Sequence, residues 1–366
     1  AVTPKALVLN GTFTIAGANV NGSNATALTA NGNAFILRGA AQTLTGGTTT
    51  FLSFGPIQYS AAASGAHTIA STGGTLLPAS LSLTGDGTLA VDVTCNMTVA
   101  GTTGIAANST LDLNAATRTY TFNGDVTVNG NLDLEPTVDG GVTLIVDSAA
   151  NLIVPGQVDV QGRPGFANYV TLRDDSAASD SAGVGDTVNT WGLTVTGTMN
   201  VTRAIVQDSF KQLPGTQTGN TSRDNGGNEN WTFPAKDTIW TGAISTLWSV
   251  EGNWTDGVPQ NTDRVRFDNA QGSGNSSQDI AGLSLALIDM DFNGNAYTGQ
   301  LTIDAALTVT GTSDLHGTTI VDAATNLQGA VTVNVTLQTG TGTLDLDGAL
   351  SGAGAITGSG RSSGRR

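Results

Sequence analysis

The phrase Leu193-Thr-Val-Thr-Gly-Thr198 recurs letter for letter as Leu307-Thr-Val-Thr-Gly-Thr312. Met97-Thr-Val-Ala-Gly-Thr102 and Val126-Thr-Val-Asn-Gly-Asn131 are close variants. A second unit, a small residue followed by Thr-Leu-Asp-Leu, occurs at Ser109 to Leu113 and at Gly342 to Leu346. In Leu-Thr-Val-Thr the Leu and Val point one way and the threonines the other, giving a short strand with one apolar face. The glycine then supplies a corner, through a positive φ or by letting another backbone come close. One such coil cannot bury its apolar face alone, but coils piled on one another share a continuous core. The phrases at Met97 and Val126 start 29 residues apart, and those at Leu307 and Val331 start 24 apart. That irregular period falls in the range of one solenoid coil, so the chain is predicted to be all-β, with roughly 12–16 coils about 4.8 Å apart.

Composition agrees with this reading. Charged residues are 12% of the chain, against a usual share of roughly 25%, and the deficit is filled by Gly, Thr, Ser, Asn and Ala. Small and β-branched residues suit tight turns and pleated surfaces, and no stretch carries the periodicity of a helix of several turns. Two β-sandwiches would call for longer strands, more aromatics and fewer glycine corners. The formal net charge of −15 repels phosphate backbones and anionic headgroups, so neither nucleic acid nor a membrane surface is an expected partner. No apolar run approaches the roughly 20 residues of a membrane span. The single cysteine, Cys95, lies in Val91 to Val99, where odd positions are apolar and even ones polar, which places its thiol in the core. The opening Ala1-Val-Thr-Pro-Lys5 has the look of a secreted protein after cleavage at a small residue, so an extracellular, cell-surface location is expected.

From Lys211 to Gly242 the chain turns rich in Asn, Gly and Pro and poor in alternation, the mark of a module junction. Trp231, Trp240, Trp248 and Trp254 follow within it or just beyond and are predicted to pack that junction. The predicted organisation is a β-solenoid module over 1–234, a Trp-rich junction over 235–270, a second module over 271–357 and a basic tail over 358–366.

Tyr169-Val-Thr-Leu-Arg173, Trp191-Gly-Leu-Thr-Val-Thr-Gly197, Val206-Gln-Asp-Ser209 and Asp224-Asn-Gly-Gly-Asn228 with Trp231-Thr-Phe233 follow one another in order. Together they resemble the closing coils of right-handed parallel β-helix modules in large bacterial surface proteins. Trp240-Thr-Gly242, Trp248, Gly252-Asn-Trp254, Gly257-Val-Pro259, Asp263-Arg-Val265 and Phe267-Asp268 resemble the linker that opens autotransporter-like repeat modules. Phe292-Asn-Gly294 and Thr298 to Thr302 fit the first coils of such a module. The match is good over residues 160–315 and otherwise one of style. The resemblance implies a right-handed parallel β-helix (β-solenoid) of two consecutive modules, in exported adhesins, surface-layer or filament proteins. It brings no catalytic residue with it.

Chemistry is sparse. His67 and His316 are too few and too scattered for common zinc or Ser-His-Asp arrangements, and His316 reads as a solvated coil corner. The Gly360-Arg-Ser362-Ser-Gly364 match to a nucleophile elbow lacks the strand and helix that make the elbow work. Asp289, Asp291 and Asn293 match the first half of a calcium loop, but Gln300 stands where the bidentate carboxylate is needed. The alternative is a strand from Leu285 to Phe292 with Asn293-Gly294 as its turn. Arg173, Asp174, Asp175, Asp180 and Asp186 form an acidic loop without the basic array a polysaccharide lyase would need. Sequons such as Asn108-Ser-Thr110, Asn230-Trp-Thr232 and Asn253-Trp-Thr255 arise by chance in a chain this rich in Asn and Thr.

No helix or charged cap is evident at either end, and an open coil is an unpaired sheet edge. Such ends are expected either of a fragment of a longer protein or of a subunit that stacks on its neighbour, with Arg361, Arg365 and Arg366 of the tail seated on an acidic neighbour in the second case. The expected function is a non-enzymatic structural subunit of a filament, sheath or surface layer, with no cofactor and with itself as main partner. An adhesin that binds cell-surface polysaccharide is the first alternative, and a polysaccharide lyase the second.

Overall fold

The computed structural model describes residues 89–358 apart from 149, 164–167, 176–189, 213–214 and 226. Shorter described segments lie at 6–8, 13–15, 20–21, 27–29, 34–38, 42–46, 53–60, 63–71, 75–85 and 362–364. Strands of two to six residues make up the regular structure, with short 3₁₀ turns and no α-helix among the described residues. The chain divides between Phe233 and Pro234 into two compact units.

In the first unit most described strands fall on three parallel sheets, nearly all of them pairing with the third one along the chain, and two further parallel pairs, Ala6–Val8 with Ala27–Thr29 and Ser53–Phe54 with Leu77–Pro78, stand apart. A nine-stranded sheet runs from Phe13–Ile15 to Ser209–Lys211, a ten-stranded one from Val20–Asn21 to Trp231–Thr232, and a six-stranded one from Met97–Val99 to Arg223–Asp224. The second unit repeats the plan: six strands from Asp237–Trp240 to Leu350–Ser351, five from Ser276–Gln278 to Ala355–Gly358, and five from Leu283–Leu285 to Ser362–Gly364. A strand that returns to pair in parallel with its own third successor, on three sides in turn, is a parallel β-helix.

The register gives the coil length. Leu81 pairs with Thr103 and Thr103 with Val126, so a first-unit coil takes 22 or 23 residues there. Leu307 pairs with Thr325 and Thr325 with Leu344, so a second-unit coil takes 18 or 19. The spacings of the repeated phrases therefore do not measure one coil. Met97–Val99 lies on the six-stranded sheet and Val126–Val128 on the nine-stranded one, so their separation is a coil plus the passage to the next side. Leu307–Val309 and Val331–Val333 likewise lie on different sheets. The phrase marks a strand and its corner wherever they fall on the coil.

Alternation puts every second side chain inside. Val91, Val93, Cys95, Met97 and Val99 are all buried, and the residues between them only partly so. Equivalent residues of successive coils stack into columns, as Val91, Leu111, Leu132 and Val158 do. Each fully buried Val or Leu contributes about 1.5–3 kcal/mol of burial, and a column spreads that contribution over every coil it crosses. The glycine of the repeat serves close approach. Gly130, Gly197 and Gly311 all have negative φ, yet a Cβ at each would meet a carbonyl oxygen of the preceding coil: that of Ser109, Gly156 and Ala286 respectively. Gly329 meets Gly311 and Gly348 meets Gly329 in the same way, so these corners stack on one another.

Each unit has its own core. Trp240, Trp248 and Trp254 belong to the second, so the stretch predicted as a junction is built into the start of that unit. Trp254 meets the rings of Trp240 and Trp248 edge-on, with centroids 5.1 and 5.2 Å away, and Phe267 and Tyr297 continue the cluster at 4.6 Å. Asn253, fully buried, fastens the loop beside them. Its Oδ1 accepts the backbone N–H groups of Ile244 and Ser245, and its Nδ2 donates to the Leu247 carbonyl. The first coil of a unit has no coil of that unit beneath it, and here aromatic bulk fills its core. Trp231 occupies the last strand of the ten-stranded sheet, stacks on Phe233 at 5.8 Å, donates to Ser209 Oγ and packs against the end of the first core.

Candidate functional site

Among the described residues of the first unit, the outward face of the ten-stranded sheet carries a run of like charge. Asp92, Asp112, Asp133 and Asp159 pair in register on successive strands, followed by Asn200. Parallel strands are about 4.8 Å apart, so four carboxylates stand one above another at that spacing, where like charges repel. Burial by the neighbouring coils raises the pKa of Asp112 to about 6, with the charges of Asp92 and Asp133 adding to the rise. Asp92, Asp133 and Glu135 are pushed up too, each chiefly by partial burial. At its upper end the ladder is tied down by amides: Asn200 Nδ2 donates to Asp159 Oδ1 at 2.7 Å, and Gln157 donates to Asp159 Oδ2.

The ladder opens into a groove of about 490 Å3 lined by Glu135, Asp159 and side chains of the strands Thr198–Thr202 and Gln217–Asn220. Neither feature was anticipated, although a signal was present. Ala90-Val-Asp92-Val, Thr110-Leu-Asp112-Leu, Asn131-Leu-Asp133-Leu and Gln157-Val-Asp159-Val are one motif, an outward Asp between two inward aliphatics. Unequal loops separate the copies, and only the register stacks them.

The second unit carries a comparable column with its charge paired. Arg266, Asp289 and Asp314 stand on successive strands. Arg266 Nε binds Asp237 at 2.6 Å and its Nη1 binds Asp289 at 2.8 Å, while the guanidinium lies 4.5 Å from the centre of the Phe292 ring. Asp289, Asp291 and Asn293 therefore do not converge on one point. Asp289 is engaged by Arg266, Asp291 lies 3.8 Å from His316 Nε2, and Asn293 donates to Asp268 at 3.3 Å. The expected strand from Leu285 to Phe292 is shorter: Leu287–Asp289 is the strand, Leu285 ends a strand of another sheet, and Phe292–Gly294 is a 3₁₀ turn with Asn293 at φ 61°. Among the described residues no group of three or more His, Cys, Asp or Glu is arranged to hold a metal. His316 also approaches Asp314 at 3.3 Å and Asn334 at 2.6 Å. Burial raises the Asp314 pKa, an effect His316 opposes and Asp289 and Asp291 reinforce.

His67 is a core residue of the first unit, edge-on to Tyr59 at 5.0 Å, with its ring nitrogens at the Ser64 carbonyl and the Gln42 N–H. Cys95 is buried, and desolvation lifts its thiol pKa to about 11, so it is held as an unreactive thiol at neutral pH. Of the acidic loop, Arg173 donates to the Asp174 carbonyl and Asp175 accepts from Ser148, while Asp180 and Asp186 lie outside the described residues. So do Arg361, Arg365 and Arg366 of the tail. Lys236 and Asp263 form a buried ion pair at 2.6 Å, and Asp263 also accepts the backbone N–H groups of Lys236 and Gln260. That explains the Asp of the opening motif: it ties the strand entering the second unit to the loop before the next strand.

The last described coil of the second unit is the counterpart of its Trp-filled start. Leu350–Ser351 and Ala355–Gly358 are edge strands of their sheets. Leu350 is 52% exposed and Ile356 41%, whereas their register partners one coil earlier, Val331 and Leu337, are buried. No helix of the described residues is long and apolar enough to cross a membrane. No protein-family model, curated protein or solved structure matches the chain.

Proposed function

We propose that the chain is a non-enzymatic structural protein of the cell exterior, a subunit that assembles by stacking β-coils into a filament, sheath or surface layer. The observation that carries this reading is the fold itself, in which coil joins coil through short parallel strands over buried aliphatic columns. The first coil of the second unit is filled by Trp240, Trp248 and Trp254, while its last described coil presents strand edges and the apolar side chains of Leu350 and Ile356 to solvent. Parallel edges of this kind add a further strand without rearrangement, through the same hydrogen bonds that join one coil to the next. The exterior suits such a role, since outward positions are mostly Thr, Asn, Ser and Asp, and the one thiol is buried.

Light scattering over a concentration series tests the proposal. The wild-type chain forms species larger than a monomer, and Leu350→Asp with Ile356→Asp shifts the distribution to monomer, since a carboxylate cannot be buried unpaired at a coil interface. Circular dichroism of the double variant stays that of the wild type because both residues are exposed. A wild-type chain that is monomeric at every concentration contradicts the proposal.

A further inference from the structure

The groove at the upper end of the carboxylate ladder belongs to no part of the stacking surface, and its lining is specific. Two outward columns cross it. Asp159 pairs with Asn200, and Thr218 follows in the same column because Val201 pairs with Gly219. Gln161 pairs with Thr202, and Thr202 with Asn220. Six polar side chains thus form a grid of two columns and three strands, about 4.8 Å apart across the strands and roughly 6.6 Å apart along them. All six are exposed or half-buried, and Glu135 closes one edge.

The grid offers hydrogen-bond donors and acceptors side by side, amides beside hydroxyls beside a carboxylate. An anionic ligand is repelled by Glu135 and Asp159, and no Lys or Arg lines the groove among the described residues. A bare cation finds the Asp159 oxygens already taken by Asn200 and Gln157. A basic peptide would find only Glu135 and Asp159 to pair its charges with, among neutral amides and hydroxyls. A ligand whose every group both donates and accepts satisfies the whole grid, and neutral sugars are built of such groups. We infer that this groove is a binding site for a neutral oligosaccharide chain, laid across the strands Gln157–Gln161, Thr198–Thr202 and Gln217–Asn220. The inference does not rest on stacking, since it concerns the other unit and a different face.

The test is calorimetric titration of the full chain with neutral hexasaccharides of glucose, mannose, galactose and N-acetylglucosamine, with hexagalacturonate and hexalysine alongside. At least one neutral hexamer binds, and Asn200→Ala and Asn220→Ala each weaken it at least about tenfold, while neither charged probe binds as well. Asn200 and Asn220 are exposed, so the melting temperature of each variant stays close to that of the wild type. Thr332→Ala, on the outward face of the second unit, leaves the affinity unchanged. Absence of binding by all four neutral hexamers, undiminished binding in both Asn variants, or preferential binding of hexagalacturonate or hexalysine overturns the inference. Assembly measured by light scattering is read separately and is unaffected by either Asn variant.

Discussion

Asp112 is the residue whose ionisation costs the fold most visibly. In the unfolded chain a carboxyl ionises near pH 4, whereas in the ladder it holds its proton until about pH 6. Below pH 4 the group is protonated in both states and makes no difference. As the pH rises towards 6, only the unfolded chain releases the proton freely, so the first unit loses stability over that window and does not regain it above. Asp112→Asn removes the effect. Its melting temperature exceeds that of the wild type at pH 7.5, by the equivalent of about 1 kcal/mol after allowance for screening of a half-exposed group. The gap narrows at pH 4 and in high salt. An equal gap at both pH values contradicts the account of the ladder. Nothing in the local sequence around Asp112 announces this, because both the coils that bury it and the charges of Asp92 and Asp133 are brought alongside by pairing. Cys95, by contrast, was legible from its own nine-residue neighbourhood, since alternation alone decides which face a strand residue takes.

At the scale of strand and corner, the repeated phrase was legible as a strand closed by glycine, and the stacked strands follow from it. What it did not disclose was the reason for the glycine. At Gly311 and Gly329 the φ angles are negative, and the constraint is the carbonyl of the coil below, an atom far away in sequence. Gly329→Ala therefore pushes on the backbone of Gly311 in the coil beneath and costs the second unit about 1–3 kcal/mol. Gly274→Ala, where a Cβ meets nothing within 4 Å, changes stability by less than about 0.5 kcal/mol. Thermal denaturation of the two variants compares them directly, and equal effects would show that glycine is needed only for local flexibility. The same distinction explains the coil length. Phrase spacing confounded strands on different sides, because loops of unequal length separate identical strands, and only the hydrogen-bond register tells which strand lies above which.

At the scale of the whole molecule, two cores are each built as a column of coils, and each meets the problem that a column has ends. The aromatic residues of the 231–267 stretch answer it for the last strands of the first unit and the first coil of the second. Their identity was legible from sequence, and their placement was not: a tryptophan cluster beside a loop reads equally well as a seam between modules or as the floor of one. Among the described residues the last coil has no such aromatic filling, and the proposed function turns on whether coils of one chain stack on those of another. Cryo-electron microscopy of the purified chain at high concentration tests this most directly. The account predicts rods that lengthen along the coil axis, with the strand spacing of about 4.8 Å continuing unbroken from one subunit into the next. Single particles at every concentration, or assemblies joined through faces other than the coil ends, would contradict it.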